Sequence, residues 1–514
     1  MTVFSPGALR NRLGVRSAVV LEGVPPRVDR KIRRMGTETS VGTDQLTGML
    51  RVPRTPDGAV DSRALLVRIG RAAPAFIALW GLFWLTGRGI ATQHLDVGIA
   101  VATAVPLWIA ARAWRLPWWL HAGAASFPLS IAVIALAHAD PTGTVRGAKL
   151  AYGAILFLAI AAWARTVRRR LVVGLLIAGL GLGAFALAWM TWMTVQPAPW
   201  NLMKGTLDWH NQFAIQMIFG VSAGIFIGVL GRGGWSIFAM VCAAVCGAGV
   251  VLSGSRYGFA LACAVVAAAL AAALVVTIRE RRRGPVARWA AVLAGALILP
   301  VLLRSPLFFP GFAFGVDPFG TMTQRGGLDS SGATRLDWWR AAWEIGLDHS
   351  AVGSGLLTFA HQAVCHAAMP QWHPHNEWAY TWAEGGAVGL LPMLLLLAGV
   401  LALVVRSLRP LPGNVELRRD PARWGGLVAL VAAVGHLVLE YDLYYTTLVG
   451  LISVTGGMAV APVVRLSGRR ASEVMAWCGL AVALAVVVGA VTLDPSFETW
   501  PWPVIDGYPQ VCAR

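Results

Sequence analysis

Residues 372–386 read WHPHNEWAYTWAEGG, gathering two histidines, an asparagine, two glutamates and three tryptophans directly ahead of an apolar run. Histidine is the side chain best suited to take up a proton near neutral pH, so the stretch offers a general base. Pro374 disfavours helix at His373 and places His375 at or near a helix start, from which Asn376, Glu377, Trp378 and Glu384 run toward the apolar segment. His375 therefore has two readings, as a base or as a capping or interfacial residue. His361, His366 and His373 read as interfacial. The HxH pair at 373 and 375 lacks the HExxH or cysteine pattern of a zinc site, so no metal ligand set is expected.

Three further stretches hold polar groups that can act on an anion or a sugar. DWHNQFA places His210 and Asn211 at the start of an apolar run, as helix caps, headgroup contacts or site residues. VLSGSRYG places Ser253, Ser255 and Arg256 together, either as a turn presenting donors to an anion or as an arginine snorkelling to the interface. In GATRLDWWRAAWEIGLDHSAVGSGLLTF, the run from Arg335 to about Leu347 reads as an amphipathic helix along the membrane surface. Trp339 and Trp343 lie at i, i+4, with Trp338 and Arg340 nearby. GSG at 353–355 lacks the rest of a phosphate loop and reads as a tight turn. Arginine forks, a base and aromatic faces at headgroup depth suit a polyprenyl-diphosphate substrate, with guanidinium on the diphosphate and rings on the sugar. The tryptophans alternatively form an aromatic belt.

The elements that must hold these residues are membrane helices. The 514-residue chain is 57% hydrophobic and only 13% charged, with mean hydropathy +0.63, so the expected fold is all-α, a polytopic helical bundle. Thirteen spans are expected, starting near residues 73, 95, 117, 148, 171, 209, 235, 257, 287, 386, 424, 443 and 473. With a cytoplasmic N-terminus, 33 of the 43 Lys and Arg fall on the cytoplasmic side, including ARTVRRR at 164–170 and RERRRG at 279–284. This bias accounts for the net charge of +18 without nucleic acid.

The expected organisation is a basic cytoplasmic arm at 1–71, spans one to nine at 72–303, a large periplasmic loop at 304–385, spans ten to thirteen at 386–493 and a periplasmic tail at 494–514. The 82-residue loop holds half of the ten histidines and is long enough to suggest function. No cleavable signal is expected at the N-terminus, where Ala18–Leu21 is the early apolar patch. Cys242, Cys246, Cys263 and Cys478 read as small packing residues. Cys365 and Cys512 fall in external segments and form a hypothesised disulfide.

The order HN at the sixth span, SGSR after the seventh, an R-x10-G element from Arg335 to Gly346 and HN…E-G before the next span resembles the O-antigen ligase and polymerase superfamily, over roughly residues 73–470. The resemblance implies a metal-independent, cofactor-free, inverting glycosyltransferase of the bacterial inner membrane. Such an enzyme moves glycan from undecaprenyl diphosphate to a lipid or glycan hydroxyl on the periplasmic side. It implies a catalytic set of His375, Arg256 and Arg335. Arg340 is added for its nearness to Arg335, and His210, Asn211, Ser255, Asn376, Glu384 and Trp338 as substrate-binding residues. A thirteenth span and a long basic arm depart from the usual pattern of about twelve spans. Ligase, polymerase and protein oligosaccharyltransferase are not separated by the sequence. A polyprenyl-phosphate-sugar transferase has only Asp96 to offer as an early acid, and a flippase reading finds neither internal repeats nor mid-span charges.

Overall fold

The computed structural model describes residues 61–88, 94–139, 144–195, 202–207, 209–303, 305, 328–363, 366, 373–408, 414–467 and 470–493. Among these it forms sixteen α-helices and no strand. They are α1 Ser62–Arg88, α2 His94–Ala110, α3 Trp118–Ala137, α4 Thr144–Trp163, α5 Val167–Val195, α6 His210–Leu230, α7 Gly234–Ser253, α8 Arg256–Glu280 and α9 Gly284–Leu303. After these come α10 Leu328–Asp348, α11 Phe359–Ala363, α12 Glu377–Leu408, α13 Asn414–Arg419, α14 Pro421–His436, α15 Thr446–Val460 and α16 Arg470–Leu493.

A helix answers each of the thirteen expected starts, although among the described residues nine helices are long and apolar enough to cross a bilayer. α2 and α15, at 17 and 15 residues, are shorter apolar helices. Two helices begin well ahead of their expected spans, α1 at Ser62 rather than near 73 and α12 at Glu377 rather than near 386. In α12, Gly386, at φ 53° and ψ −148°, separates a polar first piece from an apolar second one. The apolar count found the second piece because only that piece needs lipid.

α6 is the centre of the bundle. It is fully buried and packs against α5, α7, α8 and α14. Gly220, Gly224 and Gly228 recur every fourth residue along it and let α7 approach closely. α4, almost as buried, packs against α2, α3, α15 and α16. Cys242 and Cys246 are buried as expected, whereas Cys263 and Cys478 face outward, where a small apolar side chain suits lipid equally well. Cys365 and Cys512 lie outside the described residues, as do most of 1–71 and 494–514.

The first piece of α12 is clamped by the turn after α10. Ser354 and Gly355 donate their backbone N–H to the carbonyls of Ala383 and Glu384 at 2.9 and 3.2 Å. This is the tight turn expected of GSG. Gly353 has φ +70°, and a Cβ there would collide with the backbone of Glu384 and Gly385. Gly353→Ala is therefore expected to cost roughly 1–3 kcal/mol from backbone strain and overpacking, read as a fall in thermal midpoint of the purified protein. An unchanged midpoint would show that the turn is not this tight.

Candidate active site

The N-termini of α4, α6, α8, α12 and α15 and the C-terminus of α14 lie at one end of the bundle, and there the polar residues collect. The organising group is one the sequence did not single out. Glu440, 1% exposed, lies in the link between α14 and α15. Its carboxylate accepts from Nδ1 of His375 at 3.2 Å, Nη2 of Arg335 at 3.3 Å, Nε2 of Gln212 at 3.2 Å and Nδ2 of Asn211. Arg335 also donates to the carbonyl of Leu439 at 3.3 Å.

The local chain fixes His375 firmly. Trp339 donates its indole N–H to the Pro374 carbonyl at 2.8 Å, and Asn376 caps α12 by accepting from the Ala379 N–H at 3.0 Å. The N–H of Glu377 reaches the carbonyls of Leu437 and Glu440. Between these anchors His375 sits at φ 50°, a left-handed conformation that costs a β-carbon residue energy and persists only where its surroundings over-determine it. Trp338 stacks on its ring, with centroids 5.4 Å apart, and Trp209 lies 6.4 Å away. His373 lies against the Tyr441 ring, and its Nδ1 accepts from the His375 N–H. Burial first, then the charges of His375 and Arg335, push His373 well below the usual histidine value, so it stays neutral.

Burial alone would raise the Glu440 carboxyl. The hydrogen bond and charge of His375, with the charges of His436 and Arg335, outweigh burial and lower it from 4.5 to about 2. An ionised carboxylate only accepts, so the Nδ1 of His375 that faces Glu440 carries a hydrogen, and whenever the ring is deprotonated its lone pair is on Nε2. The carboxyl is depressed in the fold, so its contribution to stability is fully present above pH 4.5 and is lost as pH falls toward about 2. The gap in thermal midpoint between the wild-type protein and Glu440→Gln should therefore be flat above that range and close below it. A gap that is constant down to the acid end would place the Glu440 titration elsewhere.

A second network supports the first. Arg146 on α4 bridges Glu377 and Glu384 on α12, the latter at 3.2 Å, and lies over the Tyr380 ring at 4.9 Å. The other oxygen of Glu377 accepts from the Leu443 N–H at 3.3 Å, and Glu384 accepts from the Phe359 N–H at 3.2 Å. Lys149, one turn further along α4, donates to the Tyr444 carbonyl at 2.9 Å. His436 and Asp442 form a buried pair at 2.7 Å beneath the Tyr257 ring. The contacts of Leu443, Tyr444 and Asp442 tie the α14–α15 link to the helices around it.

The expected residues thus divide. Arg335, His375, Asn211 and Trp338 come together around Glu440. Arg256 opens α8 at the same end, two residues before Gly258, which packs against Ala214 of α6, and it has no ion pair or hydrogen bond among the described residues. Ser255 is the cap of α8, accepting from the Gly258 N–H at 3.0 Å. His210 is the first residue of α6, beside Trp209. Glu384 is fully buried against Arg146. Arg340 is exposed and paired to Glu344 at 2.8 Å on a different face of α10 from Arg335. Gly346, the far end of the R-x10-G element, is where the Trp382 ring covers α10, leaving no room for a Cβ. Glu440 and Arg146 were missed, and the only signal was the presence of charge at the ends of otherwise apolar helices.

Fold and site together define an all-helical polytopic membrane protein with a buried histidine–carboxylate–arginine cluster at one end of its bundle. Residues 238–394 match the family model described as O-antigen ligase. An O-antigen ligase-like region is therefore present, running from α7 into α12 and including Arg256, Arg335 and His375. Glu440, Arg146 and Asn211 lie outside the matched residues. No curated protein matches the chain.

Proposed function

We propose that the protein is a glycosyltransferase of the O-antigen ligase type. It takes glycan from a polyprenyl-diphosphate donor, undecaprenyl diphosphate in bacteria, and passes it to a hydroxyl of a lipid A core or similar acceptor. The observation that carries this reading is the meeting of His375 and Arg335 on Glu440, at the end of the bundle where Arg256 opens α8. The end of the bundle opposite the arginine-rich loops is the periplasmic end under the positive-inside rule, and the donor diphosphate lies at that headgroup level.

In this reading Nε2 of His375 accepts the proton of the attacking hydroxyl while its Nδ1 hydrogen remains on Glu440, which stabilises the resulting imidazolium. Arg256 and Arg335 balance the charge that develops on the departing lipid diphosphate. The new C–O bond forms opposite the breaking one, so the anomeric centre inverts. Trp338 and Trp209 offer faces to sugar rings.

The test is purified full-length protein in detergent with lipid-linked glycan and acceptor. A new glycosidic bond and release of undecaprenyl diphosphate are expected, and the absence of any new glycosidic bond would instead favour a transporter. In a deletion strain the ligase reading predicts full-length unattached glycan. Accumulation of a single repeat unit would mark a polymerase.

A further inference from the structure

At the end of the bundle away from His375, four arginines from four stretches of chain meet. They are Arg232 in the α6–α7 turn, Arg282 just after α8, Arg288 on α9 and Arg418 on α13. The carboxylate among them is Glu280, whose Oε2 lies 2.9 Å from Nη1 of Arg418 and 3.9 Å from Nη2 of Arg232. Arg288 directs its Nη1 to the carbonyls of Gly228 and Gly231 and to the Ser236 hydroxyl, which bind its hydrogens without neutralising its charge. Among the described side chains, four guanidiniums face the one carboxylate of Glu280, a local excess of positive charge.

Arg418 is the informative member. Its side chain is only 13% exposed, yet its Nε is buried with no hydrogen-bond acceptor, and its Nη1 meets Glu280 as an ion pair without hydrogen-bond geometry. Buried guanidinium donors are costly to leave unmade. Burial holds this guanidinium below its usual value, and Arg232, Arg288 and Arg282 add to the effect against the opposing pull of Glu280. The same helix ends carry exposed apolar side chains, Trp235 at 40% on the first turn of α7 and Ile278 at 73% on the last turns of α8.

We propose that this cluster is a binding site for a phosphate anion, filled by the headgroup of an anionic phospholipid whose acyl chains lie along Trp235 and Ile278. Arginine forks match phosphate oxygens bidentately, and a basic pocket between helix ends at headgroup depth is the geometry that retains anionic lipid. Arg418 supplies the buried contact, with Arg232 and Arg282 closing the rim. Arg288 holds the α6 and α7 backbone in place beneath it. The proposal is independent of the transfer reaction.

The test uses the full-length protein, delipidated in detergent and offered phosphatidylglycerol, phosphatidylcholine or inorganic phosphate alone, with retention read by native mass spectrometry. Preferential retention of phosphatidylglycerol is expected, falling about fivefold for each arginine removed and about 100-fold in the triple variant R232Q/R282Q/R418Q. Saturable phosphate binding without lipid preference would support the same site with a soluble ligand. Equal retention of the two lipids with no phosphate binding, or a triple variant that retains phosphatidylglycerol as the wild type does, would overturn it. Because Arg418 is buried, the exposed single variants R232Q and R282Q are measured separately, and unchanged retention in both sinks the proposal even where R418Q fails to fold.

Discussion

His375→Ala is expected to lower glycan transfer by about 10²–10⁴-fold, the usual contribution of a positioned general base, while the lipid donor still binds. Donor affinity rests on Arg256, Arg335 and the lipid-facing surface, none of which the substitution touches. The attacking hydroxyl, in contrast, loses the group that takes its proton. Alanine also places a β-carbon residue without compensating contacts at φ 50°, so part of any loss could be structural. His375→Asn separates the two effects, because asparagine tolerates the left-handed region and still cannot act as a base near neutral pH. Both variants should lose kcat at unchanged thermal midpoint for the asparagine form. Turnover within about threefold of wild type in His375→Asn would remove His375 from the role of base.

Glu440→Gln should reduce kcat by about 10²–10⁴-fold with a much smaller change in donor KM. Glu440 touches neither donor nor acceptor in the proposed mechanism, so it is a positioning residue. An amide of the same shape presents a donor where His375, Arg335, Asn211 and Gln212 all require an acceptor. The imidazole is then free to turn or to change tautomer, which puts the hydrogen on Nε2 and leaves no lone pair for the hydroxyl. Glu440→Asp, which keeps the charge but shortens the reach, should retain more activity than Gln. Glu440→Ala leaves four donors without their acceptor and should lower the unfolding free energy by roughly 2–5 kcal/mol. A purely structural Glu440 would instead show losses in the Gln and Asp variants that simply follow the fall in their midpoints.

The helices were largely legible because a bilayer imposes a length and an apolar composition that any window of sequence reports. The helix start that Pro374 places near His375 agrees with α12 beginning at Glu377, whereas the apolar count opened the tenth span only at 386 because Glu377 and Glu384 interrupt the apolar composition. They are tolerated there through Arg146, which is 231 and 238 residues away along the chain. His375 could be singled out because histidine is scarce in such a composition, and Arg335 because it lies in the external loop, away from the side where most of the basic residues fall. Glu440 could not, since its partner Arg335 is 105 residues distant and nothing in local spacing encodes a pairing of that range. Arg340 shows the opposite failure. Five residues past Arg335 on a helix turns a side chain about 140° round the axis, so nearness in sequence placed it on another face, whereas Trp338, three residues on, lies alongside.

The acceptor that unites the candidate site belongs to the link after α14, late in the chain order. A nascent protein that has emerged only through α12 already carries Asn211, Arg335 and His375 but lacks Glu440, the carboxylate they share. Assembly of the candidate cluster thus waits for synthesis of the α14–α15 link, and chains truncated before residue 440 are expected to insert as bundles yet catalyse no transfer.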